Sequence, residues 1–433
     1  MPRIKIEYGT AQLTVDLPLP CDVRGMSDTA PLPSPAEAIR RSYTQPIDTP
    51  SLAEIARSKL KRNPKSTAVV VVSDNTRPVP YRGAEGILVP LLETLLSAGY
   101  APQRITILIG TGSHRPMKES EIEAMLGLRE AGFDLPVANH DYQKQEDLVY
   151  VGKTGRGSPV WVNKLYSEAD LKIVTGLVEP HFMAGYSGGR KLVAPGVAYQ
   201  DTILNFHTAH ILEHEKSANC VIEGNPLHEE QIEIVRKIGG IVALNVVIDE
   251  KRRIGFVNFG EVEASHREAV AFMRKHAEVT LPRRFRTIVT TSAGYPLDRT
   301  YYQTVKGMVG VVDILEPGGT IIIASECSEG MGSGEFVAAQ RLLCEVGPDR
   351  FMSVLTGRDK AHIDEWQTEM LVKALRVGTI RLHTTGLGKE DLKDVFVEPV
   401  SSIEEAVVAS VKEQGDPDVA VVPEGPYVIP RCH

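Results

Sequence analysis

Three short apolar runs constrain this chain more than anything else in it: STAVVVVSD (66–74), RITILIGTG (104–112) and ADLKIVTGLVEP (169–180). None alternates apolar with polar residues, so each suits a strand buried on both faces, as strands of a parallel sheet are. EGILVPLLETLLSAG, between the first two, reads as a helix closed by Gly99, and MKESEIEAML after the second as another. Strand, helix, strand in this order predicts parallel crossover units and an α/β fold. Ligands of such sheets bind beyond the carboxyl ends of the strands. Here those ends read DNTRP, GTGSHRP and EPHFMAGYSGGRK, each carrying groups able to do chemistry.

Further along, ALNVVIDEKRRIGFVNFG predicts a hairpin turning at 249–251, and SHREAVAFMRKHAEV a helix that closes a first domain over 1–278. LPRRFR reads as a linker. A fresh α/β pattern then begins with strand RTIVTTSAG, helix TYYQTVKGMVGVVDIL and strand TIIIASE, which predicts a smaller second domain over 279–415. Residues 416–433 either supply its last strand or return to the first domain. An active-site cleft between the two α/β domains is the expected architecture. Two domains fit a chain of 433 residues.

Composition excludes several classes. A net charge of −8 and no long basic run argue against a nucleic-acid partner. No apolar run approaches the roughly 18 residues of a membrane helix, so no membrane partner is expected. The five cysteines are scattered, without a CxxC pair, and the opening MPRIKIEYGTAQLTVDLP lacks the zones of a signal peptide, so the cytoplasm is the expected location.

The glycine-rich stretch fails as a P-loop: counting from Gly185, the second glycine position holds Arg190, and Lys191 is followed by Leu192. Gly185, Ser187, Gly188 and Gly189 still allow close backbone approach for an anion. His114 and His181, at neighbouring strand ends, form a candidate acid/base pair, since imidazole titrates near neutral pH. Arg77 offers a fork for a carboxylate and Asp74 a group to orient a neighbour. FHTAHILEHE carries His207, His210 and His214 at helical spacing, which raises a zinc-dependent hydrolase as an alternative. Gln303 and Lys306 lie one turn into a second-domain helix and are candidate lid contacts.

Taken together, DNTRP, GTGSHRP, EPHFMAGYSGGRK, FHTAH and YYQTVKG resemble the nickel-dependent lactate racemase family, in order and across most of the chain. That resemblance implies a nickel pincer nucleotide, a pyridinium-3,5-bisthiocarboxylate mononucleotide with nickel, joined covalently to Lys191 and berthed against Gly188 and Gly189. It implies His207 as the protein's nickel ligand, His114 and His181 as the acid/base pair, and Asp74 near the pyridinium. Arg77, Gln303, Lys306 and Tyr302 would meet the substrate. The implied reaction is racemisation or epimerisation of a small 2-hydroxy acid through hydride removal and return, with cofactor-biosynthesis proteins as maturation partners. Leu192 follows the lysine where a small polar residue is expected of lactate enzymes, and relatives act on larger 2-hydroxy acids. A third, non-enzymatic reading is a nickel- or nucleotide-binding module.

Overall fold

The computed structural model describes residues 3–432 except 18, 20, 27, 28 and 250. Met1, Pro2 and Pro18 of the expected opening strands and Glu250 of the expected hairpin turn lie outside the described residues.

Two six-stranded sheets organise the molecule. The first runs in the order Ile254–Glu261, Ile241–Ile248, Leu171–Leu177, Ala68–Ser73, Ile105–Gly110 and Val137–Asn139. Its strands are parallel except at one edge, where Ile254–Glu261 turns back antiparallel. The three apolar runs are thus adjacent strands, with Ala68–Ser73 central and buried along its whole length. Val70, Val72, Ile107, Ile109 and Ile173 face one packing layer, while Val69, Val71, Leu108 and Val174 face the other. Such two-sided burial is what a continuous branched apolar run supplies.

The second sheet, fully parallel, runs Glu398–Val400, Thr379–His383, Leu315–Ala324, Phe285–Thr291, Val419–Val422 and Cys21–Val23. Two of its features depend on pairings remote in sequence. The opening hairpin Arg3–Tyr8/Ala11–Asp16 packs Ile4, Ile6, Val15 and Leu17 against Val289, Ile322 and Val421, so the first strands sit on the second sheet rather than the first. The tail does two things: Val419–Val422 is a strand of the second sheet, and Ile429–Cys432 pairs in parallel with Glu278–Leu281 beside the linker. Among the described residues no helix is long and apolar enough to cross a membrane.

Candidate active site

The carboxyl ends of the central strands open into one cleft, closed from the other side by second-domain residues. Asp74 follows the Ala68–Ser73 strand directly. Its Oδ1 caps the turn, accepting from Thr76 N at 3.1 Å and Thr76 Oγ1 at 2.5 Å, which leaves Oδ2 for His114 Nδ1 at 2.7 Å. Burial opposes charge on both partners, yet their mutual attraction and hydrogen bonds outweigh it: the Asp74 pKa lies below, and the His114 pKa above, its ordinary value. A carboxylate on Nδ1 makes that nitrogen the donor and turns His114 Nε2 into the working atom. The His114 side chain stays 41% exposed, open to the cleft.

The loop after Leu171–Leu177 is held from beneath. Arg190, fully buried, donates to the carbonyls of Ala184 (2.9 Å), Tyr186 (2.8 Å) and Ser187 (3.2 Å). Gly188 has φ +127°, and a Cβ there would come within 2.5 Å of the His266 ring; one at Gly189 would meet Val174 at 2.8 Å. Both glycines therefore let the loop lie flat on sheet and helix, and Gly188 also lines the cleft. Arg190 and Lys191, neighbours in sequence, have opposite tasks: one staples the loop, the other faces the cleft.

Lys191 Nζ lies 2.6 Å from His181 Nε2. His181 Nδ1 accepts from the backbone N–H of Ala184 (3.2 Å) and Met183 (3.3 Å), so the neutral ring carries its proton on Nε2 and donates it to the amine. An amine that accepts cannot be an ammonium. Electrostatics agree: burial, then the positive charges of Arg77, Lys306 and Arg190, hold the Lys191 pKa well below the usual lysine range. Burial, with the positive charges of Arg77, Lys306 and Arg190 behind it, likewise holds His181 well below the usual histidine value. The two histidines of the cleft are thus pushed apart, one toward the charged form and one toward the neutral form.

Arg77 pairs with the buried carboxylate of Glu179 while still lining the cleft. Lys306 joins it from the second domain, its pKa drawn down to about 7 by burial and then by Arg77. Gln303 and Tyr302 come from the same helix, Tyr301–Gly310, and both line the cleft. Arg77 and, in its protonated form, Lys306 give the cleft two cationic side chains able to meet a carboxylate.

His207 is buried at the end of the Gln200–Phe206 helix; its Nδ1–H donates to Ile203 O at 2.9 Å, leaving the Nε2 lone pair free. Burial lowers its pKa to about 3, so the ring is neutral and competent as a ligand. The three-histidine zinc cluster does not form. The expected continuous helix breaks at His207 and resumes as Ala209–Leu212, His210 and His214 are exposed, and among the described residues no group of three or more His, Cys, Asp or Glu could hold a metal ion. A single break at 207–208 abolishes the shared face that the spacing suggested.

Of the residues the family resemblance singled out, all but Gly189 line this cleft, whereas Gly185, His210 and His214 do not. Sequence reasoning passed over three others. Glu179 stands two residues before His181 in the quoted motif, and its pairing with Arg77 needed only a carboxylate near a candidate anion fork. Trp366 stacks on the His207 ring, centroids 4.4 Å apart at 28°, and its Nε1–H donates to the Tyr302 hydroxyl at 3.1 Å. Gln367 Nε2 donates to the Tyr302 carbonyl. Being one of only two tryptophans was the sole signal for Trp366.

Comparison with known proteins gives one answer. Residues 8–219 match the model of the lactate racemase N-terminal domain, and residues 283–429 that of the lactate racemase C-terminal domain. The chain is 32% identical to a lactate racemase of Thermoanaerobacterium thermosaccharolyticum over the whole of both chains. It is 30% identical to a lactate racemase of Lactiplantibacillus plantarum, covering 92% of this chain and 91% of that one. The solved structure of the Thermoanaerobacterium lactate racemase apoprotein superposes with a TM-score of 0.90 at 31% identity, over 99% of this chain and all of that one. A Thermotoga maritima crystal structure shares the fold alone, with a TM-score of 0.65 at 19% identity over 89% of this chain and all of that one. Two strand-end histidines, a cleft with cationic groups and full-length likeness converge: this chain belongs to the lactate racemase family and is an isomerase of the racemase class.

Proposed function

We propose that this chain inverts the carbinol carbon of a 2-hydroxy acid of the lactate type, with a nickel pincer nucleotide tethered at Lys191. The observation that carries the reading is the Lys191–His181 contact. There the amine accepts from the ring, and burial with the charges of Arg77, Lys306 and Arg190 draws its pKa well below the usual lysine range, favouring the free amine that a nucleophile joining a cofactor carboxyl carbon has to be. The rest of the cleft fits the same group: His207 presents a free Nε2 beside Lys191's pocket, and imidazole suits nickel. When bound, the cofactor supplies a hydride acceptor that also returns the hydride, which spares the substrate a carbanion next to its carboxylate.

The chain's own residues do the remainder. Arg77 and Lys306 attract and orient the substrate carboxylate. His181, held neutral, takes the hydroxyl proton of one enantiomer at Nε2. That role needs the ring proton on Nδ1, a tautomer opposed only by two long backbone contacts once the amine no longer occupies the partner position. The oxidised carbon is planar. His114, held toward the imidazolium by Asp74, would give its proton back to the substrate oxygen when the carbinol is restored. The proton has moved from one histidine to the other, and the reverse reaction runs with their roles exchanged.

Intact mass spectrometry tests the reading directly. Co-expressed with cofactor-building proteins, the wild-type chain is expected to gain a mononucleotide mass, and Lys191→Ala to lack it. An unmodified wild-type chain under those conditions would refute the tether.

A further inference from the structure

Two cations that share one cleft repel each other, and an acid set behind them can offset that repulsion. Arg77, from the turn after Ala68–Ser73, and Lys306, from the helix Tyr301–Gly310, both line the cleft and, behind it, a small shared cavity. Glu179 walls that cavity too but is not among the residues lining the cleft. Resting on the racemase reading above, we propose that Glu179 is a positioning residue: from behind the cleft its carboxylate aims the Arg77 guanidinium at the substrate carboxylate and lets Lys306 stand beside it as a second cation.

Geometry supplies the first half. Among the described residues Glu179 is the one side chain that Arg77 bonds, through Nη1 to Oε1. The pair is nearly dry, with Arg77 21% and Glu179 6% exposed, so Arg77 takes its direction from where Glu179 is held. That place is fixed by the loop carrying His181 and Lys191. The Glu179 backbone N–H donates to Ser187 Oγ at 3.1 Å, its carbonyl accepts from Ser187 N at 2.8 Å, and Ser187 Oγ donates to Leu177 O at 2.6 Å. A guanidinium held at one nitrogen keeps further N–H groups for a second carboxylate.

Charge supplies the second half. Glu179 Oε2 is buried and has no hydrogen-bond partner among the described residues, an uncommon and costly state for an acceptor. Around Lys306, Arg77 and Arg299 oppose its proton, while Glu179 and, after it, Asp74 favour it. Asp74 is already committed to His114 and Thr76. Across the cleft His181 and Lys191 feel the Lys306 charge, and Tyr427, a phenol that burial keeps protonated, closes the shared cavity. Glu179 is left as the acid whose charge Arg77 and Lys306 share.

The test separates charge from aim. Competitive acetylation of the unloaded chain across pH 5–9, read by peptide mass spectrometry, reports the midpoint at which Lys306 loses its proton. Glu179→Gln keeps the shape and an acceptor for Arg77 but not the charge, and is expected to lower that midpoint by about one unit. Glu179→Asp keeps the charge but draws it back by one methylene, and is expected to leave the midpoint near that of wild type. In cofactor-loaded enzyme, with rates counted per Lys191 adduct, both variants are expected to raise KM for lactate about tenfold, as a weakened charge-assisted hydrogen bond would, with kcat within about threefold of wild type. A Lys306 midpoint unmoved in Glu179→Gln, or a KM unmoved in both variants, overturns this proposal and leaves the racemase reading standing. No turnover of any 2-hydroxy acid by a wild-type chain carrying the Lys191 adduct overturns both.

Discussion

One carboxylate decides how His114 titrates, and the effect can be read without cofactor. Asp74 attracts the protonated ring and bonds its Nδ1, so the imidazolium persists above the ordinary histidine range. Removing the charge while keeping the shape leaves burial, which favours the neutral ring. Asp74→Asn is therefore expected to lower the His114 pKa by one unit or more, on the order expected of an opposite charge at this distance. Histidine side-chain NMR of the unloaded protein across pH 5–9 checks it. Equal midpoints in the two proteins would remove Asp74 from the acid/base machinery. In the loaded enzyme the same change should move the alkaline limb of the pH–rate profile downward, because one histidine has to stay protonated while the other is neutral.

At the scale of elements, what was legible in the sequence was what local rules determine. The strands Ala68–Ser73, Ile105–Gly110 and Leu171–Leu177 announce themselves through uninterrupted branched residues, and the loops at their ends followed from that reading. Illegible features rest on long-range pairing. The opening hairpin has ordinary strand patterning, and nothing in it says that its partners are Val289 and Val421. The break after Phe206 was hidden because histidines at helical spacing look alike whether or not the helix continues. The helix Glu365–Leu375 was invisible as a site element for the same reason: it reaches across the seam to the first domain. There Trp366 covers His207, Lys373 donates to Leu212 O, and Arg376 pairs with Glu213 at 2.6 Å. Trp366 is 4% exposed, so Trp366→Ala is expected to cost about 3–5 kcal/mol in chemical denaturation, as for other buried large aromatics. Trp366→Phe keeps a ring over His207 and should lose much less. Equal unfolding of Trp366→Ala and wild type would show that the indole does not hold the seam.

The two domains of the whole molecule meet along that seam, and it carries a group that couples their union to pH. Glu369 is fully buried and neither carboxyl oxygen has a hydrogen-bond partner among the described residues. Burial, then the nearby Glu213 carboxylate of the first domain, raise its pKa to about 8, despite Lys373 and Arg376 alongside. A carboxyl whose folded pKa is raised is protonated without penalty below its unfolded value near 4.5. Above that value the unfolded chain releases the proton while the folded chain keeps it, so stability falls with rising pH until about 8. For one proton the loss is at most about 1.4 kcal/mol per pH unit. Glu369→Gln cannot ionise and escapes this loss, so its advantage over wild type should be absent near pH 4 and grow toward pH 8, then level off. Thermal melts of both proteins from pH 4.5 to 9 decide the matter. Parallel curves would mean that the seam tolerates the Glu369 charge, whereas curves that diverge with pH would identify this buried carboxyl as a group that weakens the folded molecule in alkaline conditions.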